Sequence, residues 1–92
     1  MKYSTKKELR KLASEGSRYD GDAIWSQIWK KLMDGQELSA EEADALEHMT
    51  LTKIAEHREK ISGGLLVDES PFKIRLLLLE RAYGDYFKRS VP

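Results

Sequence analysis

The segment that most constrains the fold runs from Ser39 to Ile61, because it predicts one long helix in a chain of only 92 residues. Ser39 and Glu42 match a capping box, in which each side chain accepts a hydrogen bond from the other residue's backbone N–H. Neither glycine nor proline follows before Gly63, so the helix can continue for about six turns. Every other strong boundary signal in the chain is also a helix cap or a glycine stop, which indicates an all-α fold.

Composition agrees with a single helical domain over residues 1–92. Hydrophobic residues make up 40% of the chain and charged residues 35%, a balance typical of a globular protein rather than a disordered one. The longest apolar run covers residues 76–79, whereas a membrane span needs about 20 apolar residues. We therefore expect no membrane span, a cytoplasmic location, and a compact four-helix bundle with a long third helix and a largely buried C-terminal helix.

The first helix is predicted from about Lys6 to Glu15. Thr5 and Glu8 fit a second capping box at its start. Gly16 stands where a left-handed residue often ends a helix. Its apolar content is thin and its cations repel one another at i,i+4, so this helix needs other helices to support it.

The second helix is predicted from about Asp22 to Asp34, with Gly35 ending it. Its apolar residues fall into two stripes about 100° apart on the helix surface. The first stripe is assigned to the core and consists of Ile24, Ile28 and Leu32. The second is assigned to the edge of the core or to solvent and consists of Trp25, Trp29 and Met33.

The fourth helix is predicted to start with Ser70 as its N-cap and Pro71 at the first helical position. It ends near Tyr83 or continues to Lys88. A helix with apolar residues on several sides is buried on several sides, which places this one centrally. A homodimer would cover any apolar face left over. Residues 65–67, which precede the helix, are predicted to form an extended segment over the core.

Signals of catalysis or of metal binding are weak. The absence of cysteine excludes disulfides, thiol nucleophiles and thiolate metal sites. His48 and His57 are nine residues apart on one helix, so they point to opposite sides. We expect no enzymatic activity, metal or cofactor. One alternative is a helical enzyme that builds a pocket from cations at a dimer interface, with the candidates Arg58, Lys73, Arg75 and Arg81.

Two surfaces are candidates for binding a protein partner. Tryptophan is enriched at binding hot spots, so the stripe of Trp25, Trp29 and Met33 is the first. The second is acidic and surrounds the start of the third helix; it comprises Glu37, Glu41, Glu42 and Asp44. Both patterns also have ordinary explanations, because tryptophans fill small cores and acids favour helix N-termini. The favoured function is a small interaction module, such as an adaptor, inhibitor or accessory regulator.

The alternative function is that of a nucleic-acid-associated regulator. The first helix is basic and could contact phosphates through Lys6, Lys7, Arg10 and Lys11. Against this, 16 Lys and Arg are balanced by 16 Asp and Glu over the whole chain. The turn at Gly35 also leads into a helix that opens with acids, which would repel phosphate at the position of a recognition helix.

Overall fold

The structure of the protein is a computed structural model that describes residues 3–20, 23–64 and 68–92, without the side chains of residues 19 and 20. These ranges contain helices and no strand, which confirms the all-α prediction. The radius of gyration is 13.3 Å, the value expected of a compact domain of about 100 residues. The predicted extended segment 65–67 lies outside the described residues. The helices are α1 (Tyr3–Asp20), α2 (Ala23–Asp34), α3 (Ala40–Ser62) and α4 (Ser70–Phe87).

Helix α3 begins and ends as predicted. The Ser39 hydroxyl accepts from the Glu42 N–H at 3.2 Å, and the Glu42 carboxylate accepts from the Ser39 N–H at 2.8 Å. The helix then runs unbroken until Gly63, whose N–H donates to the Glu59 carbonyl. The preceding turn also matches the prediction, since Gly35 has a φ of 71°, a conformation that glycine adopts at little cost.

Helix α1 is longer than predicted at both ends. It begins at Tyr3, so Thr5 lies inside the helix and cannot be its N-cap, and the predicted Thr5–Glu8 capping box is wrong. Both side chains are buried against the rest of the bundle. Gly16 is equally internal, and the helix continues past it to Asp20. A glycine within a helix costs about 1 kcal/mol relative to alanine, so a packing reason for Gly16 is expected.

That packing reason is Trp25 of α2. A Cβ atom added to Gly16 would lie 2.5 Å from Cδ2 of the Trp25 indole, well inside contact distance. The absence of a side chain at Gly16 therefore lets the indole lie directly on the backbone of α1. Gly16 is a close-approach residue rather than a helix stop.

The start of α4 also differs from the prediction. Glu69 is the N-cap and its side chain makes no capping hydrogen bond, while Ser70 is already helical. The carboxylate of Asp68 accepts instead from the Ser70 N–H at 3.0 Å. At the other end the longer of the two predicted extents is confirmed. The helix runs to Phe87 and closes on Lys88, which has a left-handed φ of 57°.

The core lies where α1 meets α2, α3 and α4. Although α1 is poor in apolar residues, Leu9, Leu12 and Ala13 are completely buried. Helix α4 packs against α1 and α3 through Leu79 and Tyr83, whereas its Ile74 and Leu77 remain in solvent. The remaining buried hydrophobic residues are Trp25, Ile28, Leu32, Leu46, Ile54 and Ala82.

An ion-pair network ties α4 to α1 and α3. The Arg75 guanidinium donates to Glu8 at 3.0 Å and to Glu15 at 2.6 Å, and Lys53 of α3 lies 3.7 Å from the second oxygen of Glu15. Burial opposes the charged form of Arg75, but the hydrogen bonds to Glu15 and Glu8 outweigh it and raise the pKa of the guanidinium. Removing one partner would leave a buried charge uncompensated, so the network fixes how α4 lies on α1.

Candidate partner-binding surface

The two tryptophans of α2 face opposite environments. Trp25 is 4% exposed and lies in the core, while Trp29 is 43% and Met33 is 48% exposed. The core face of α2 is formed by Trp25, Ile28 and Leu32, at the i, i+3, i+7 spacing of one helix side. The predicted exposed stripe is therefore wrong at Trp25, because Gly16 opens a space for that indole against α1. Trp29 and Met33 keep the exposure expected of binding residues.

Cations of α1 line the same side of the molecule. The Arg10 guanidinium donates to Sδ of Met33 at 3.1 Å, which joins the basic face of α1 to the outer face of α2. Between the two helices lies a shallow groove of about 410 Å³. We call it the basic groove and define it by its cations and its two large apolar side chains: Lys7, Arg10, Lys11, Arg18, Trp29 and Met33.

The cations of the basic groove are available to a ligand. Within the described part of the chain, Lys7, Lys11 and Arg18 belong to no ion pair. Glu15, the one carboxylate among the described residues that line the groove, is already bound by Arg75 and Lys53. The groove therefore has a net positive charge that its own residues do not neutralise.

The structure thus brings together residues that the sequence had assigned to two separate hypotheses. Lys7, Arg10 and Lys11 of the nucleic-acid hypothesis lie beside Trp29 and Met33 of the protein-binding hypothesis. The neighbouring Lys6 is exposed but does not line the groove.

Arg18, another cation of the basic N-terminal region, also lines the groove, although it lies beyond the predicted end of the first helix. Lys7, Lys11 and Arg18 follow a spacing of i, i+4, i+11, which places them on one face only if the helix continues through Gly16. The predicted helix ends before Gly16, so it does not include Arg18 and does not show this alignment. A helical-wheel plot extended to Asp20 would have revealed it.

The predicted acidic surface does not adjoin the basic groove. Glu41 lines a different cleft, between α2 and α3, which also includes Ile24 and Lys31. Glu37 and Asp44 are likewise exposed and remain candidate surface residues. No residue is shared between the linings of the two clefts.

Glu42 lines the same cleft as Glu41, but its carboxylate is engaged within the fold. Its carboxylate is buried, caps α3 at the Ser39 N–H, and lies 2.6 Å from Nζ of Lys31. The hydrogen bond from Lys31 and that from the Ser39 backbone lower the pKa of Glu42. Its assignment to a partner surface is therefore corrected: Glu42 joins α2 to α3 within the bundle.

The residues weighed for metal binding or catalysis are mostly occupied within the fold. His57 is buried, with Nδ1 at 2.8 Å from the Lys53 carbonyl. Among the cations considered for a helical enzyme, Arg58 pairs with Glu80. Lys73 and Arg75 also belong to ion pairs, whereas Arg81 is exposed. Across residues 3–20, 23–64 and 68–92, no three His, Asp or Glu side chains are grouped as a metal site.

Comparison with known proteins adds no assignment to this picture. No protein-family model, curated protein or solved structure matches the chain. None of the helices, as far as the structure describes them, is both long and apolar enough to cross a membrane. Function is therefore inferred from the geometry and charge of the basic groove.

Proposed function

We propose that this chain is a non-enzymatic protein–protein interaction module, acting as an adaptor, inhibitor or accessory regulator through the basic groove. The observation that carries the proposal is the exposure of Trp29 and Met33 beside cations that form no ion pair with any residue the structure describes. We place this function in the cytoplasm, in keeping with a chain that has no cysteine. It requires neither a metal nor a cofactor.

Exposed Trp29 and Met33 side chains are costly unless something covers them. Burying apolar surface contributes about 25 cal/mol per Å², and tryptophan combines a large contact area with little conformational freedom. Methionine adapts its shape to varied partners. A segment that inserts an apolar side chain between Trp29 and Met33 would use both properties.

The cations specify the complementary chemistry of the partner. Lys7, Arg10, Lys11 and Arg18 line the α1 side of the groove, beside the apolar Trp29 and Met33 of α2, so that charged groups border an apolar contact area. Carboxylates on the partner would pair with these cations, speed association and fix the register of binding. The partner that fits is therefore a protein segment with an apolar anchor flanked by Asp or Glu.

Nucleic acid is the second candidate, and the same groove supports it. A single strand could stack a base on Trp29 while its phosphates contact Lys7 and Lys11. The protein partner is favoured because acids and bases balance over the whole chain. Single-strand binding is favoured by the opposite pattern, a strongly basic surface that follows the backbone.

Site-specific photo-crosslinking tests the proposal. A photoreactive amino acid replaces Met33 in one sample and the exposed Thr52 of α3 in a control sample, and both are irradiated in lysate of the source organism. We expect a discrete protein adduct from position 33 that survives nuclease treatment and is absent at position 52. Equal labelling at the two positions, or no adduct at position 33, would contradict the proposal, and a nuclease-sensitive adduct would favour the alternative.

Two matched pairs of variants then test which residues bind. With the captured protein purified, Trp29→Ala should weaken binding by about 2 kcal/mol, the hot-spot scale, whereas Leu77→Ala, at an exposed apolar position on α4, should not. Lys7→Glu should weaken binding more than Lys6→Glu, because only Lys7 lines the groove. Equal effects of the two lysine reversals would show that net charge, rather than the groove, controls affinity.

A further inference from the structure

We infer that a second copy of this chain docks on the exposed face of α4, as an antiparallel helix pair with a two-fold axis between Ile74 and Leu77. These side chains are 60% and 57% exposed, although they belong to an otherwise core-forming helix. They are three residues apart and therefore lie on one face. This surface is on α4, outside the basic groove between α1 and α2, and Lys11 lines both that groove and a further cleft beside Ile74.

The pattern of residues on this face is self-complementary. Ser70, Ile74, Leu77 and Arg81 follow the spacing i, i+4, i+7, i+11, which keeps all four on one side of α4. An interface with two-fold symmetry requires that each residue meet its counterpart from the opposite end of the pattern. Rotation about a point between positions 74 and 77 places Ile74 against the partner's Leu77, and Arg81 against the partner's Ser70.

Charge supports the same register. The Asp68 carboxylate is held 3.0 Å from the Ser70 N–H, so a negative charge stands at the end of the face that meets the partner's Arg81. Arg81 is exposed and belongs to no ion pair among the described residues. Arg81 is four residues from Leu77, and the Ser70 N–H that binds the Asp68 carboxylate is four residues from Ile74. At a rise of 1.5 Å per residue, each charged group therefore lies about 6 Å along the axis from the apolar residue beside it. Two Arg81–Asp68 pairs would therefore form together with two Ile74–Leu77 contacts.

Other cations lie near this face: Lys11 and Arg75 line a cleft with Ile74, and Arg75 is already bound by Glu8 and Glu15. Lys73 lies to one side of the four-residue pattern and is 3.1 Å from Glu69 of its own chain.

The dimer interface is smaller than the 1,200–2,000 Å² or so that stable complexes bury, because it consists of one helix from each copy. We therefore expect a dimer that dissociates on dilution, with half-association in the micromolar range or above.

Sedimentation of the full chain at rising concentration measures the association. The mass should rise from 10.6 kDa towards twice that value between low micromolar and millimolar protein. Leu77→Glu should weaken association at least tenfold, whereas Met33→Glu, the matched change in the basic groove, should leave it unchanged. A chain that stays monomeric throughout, or one that dissociates equally with both variants, would overturn the inference.

Charge reversal tests the proposed ion pair. Arg81→Glu should weaken association, because it places two carboxylates together at each end of the interface. Adding Asp68→Lys to that variant should restore association, with circular dichroism used to check that α4 remains helical. If Arg81→Glu has no effect, or if the double variant is no better than the single one, the proposed register is wrong.

The absence of cysteine provides a direct test of orientation. Ser70→Cys and Arg81→Cys variants are mixed and oxidised, and the disulfide-linked species are separated by mass. Antiparallel pairing predicts mixed 70–81 linkages well in excess of 70–70 or 81–81 linkages. Predominance of the like-with-like products would indicate a parallel pair and would overturn the proposed axis.

Discussion

Two tryptophans lie one helical turn apart on α2, in opposite environments. Trp25 lies on the backbone of Gly16 and is 4% exposed, while Trp29 stands at the basic groove and is 43% exposed. The residue on the neighbouring helix makes the difference, since a glycine admits an indole that any larger residue would exclude. Identical residues on a helix can therefore be assigned to core or surface only when the packing partner is known.

The largest effect should come from truncating the inner tryptophan. Trp25→Ala should lower the free energy of unfolding by about 3–5 kcal/mol, the usual loss for a large core aromatic. Trp29→Ala should lower it by less than Trp25→Ala does, because Trp29 is 43% exposed. Urea unfolding followed by circular dichroism measures both. Comparable losses of unfolding free energy in the two variants would show that Trp25 and Trp29 do not differ in burial.

The second effect concerns the glycine beneath Trp25. Gly16→Ala should destabilise the fold by about 1–3 kcal/mol, because the new methyl group overlaps the indole. In a Trp25→Ala background the same change should become neutral or stabilising, since alanine is favoured over glycine in helices by about 1 kcal/mol. This reversal of sign in a double-mutant cycle separates a packing role from a helix-ending role. A helix stop would give the same loss in both backgrounds.

A smaller effect should distinguish the two serines that were predicted to cap helices. Ser39→Ala removes the acceptor for the Glu42 N–H and should cost about 1 kcal/mol. Ser70→Ala should cost about 0.5 kcal/mol or less, because Ser70 lies inside α4 and Asp68 supplies the acceptor there. Thermal unfolding of the two variants beside the parent chain tests the difference. A larger loss of stability for Ser70→Ala than for Ser39→Ala would indicate that Ser70 is the N-cap of α4.

The smallest expected effect is a pH-dependent difference in stability between variants of the adjacent acids Glu41 and Glu42. The pKa of Glu42 is lowered in the fold from its usual 4.5, chiefly by the hydrogen bond from Lys31. The folded protein thus binds this proton less readily than the unfolded chain does. The stabilisation is therefore complete above pH 4.5 and is lost as the pH falls through the lowered pKa.

Glu42→Gln should accordingly be less stable than the parent chain at neutral pH, with the gap narrowing in acid. Glu41→Gln is the matched control, because Glu41 is exposed and makes no such contact with Lys31. Unfolding free energies measured at several pH values compare the two variants. A gap for Glu42→Gln that stays constant down to acid pH would contradict the linkage.

The helix boundaries that were predicted correctly depend on neighbours in sequence. The Ser39–Glu42 capping box closes within one turn, and the left-handed Gly35 ends α2 through its own backbone preference. Interactions of this kind need no knowledge of the rest of the fold. The matching Thr5–Glu8 pattern failed because Glu8 instead binds Arg75, a residue of α4 that the local pattern does not include.

The candidate site was only partly predictable for the same reason. Trp29, Met33, Lys7, Arg10 and Lys11 were all identified as candidates from their residue types and helical spacing. These side chains line one groove because α1 packs on α2, and helical periodicity does not specify that packing. The two hypotheses therefore concern the same surface, although they name different partners.

Residue type and spacing were thus enough to establish four helices, the long α3, the turn at Gly35 and the amphipathic character of α2, because these features arise from short-range hydrogen bonds and periodicity. They could not establish that Gly16 lies under Trp25, or that Glu42 would be buried beside Lys31. Those placements depend on which helix faces meet, and that choice minimises the free energy of the whole packed core rather than that of any single segment.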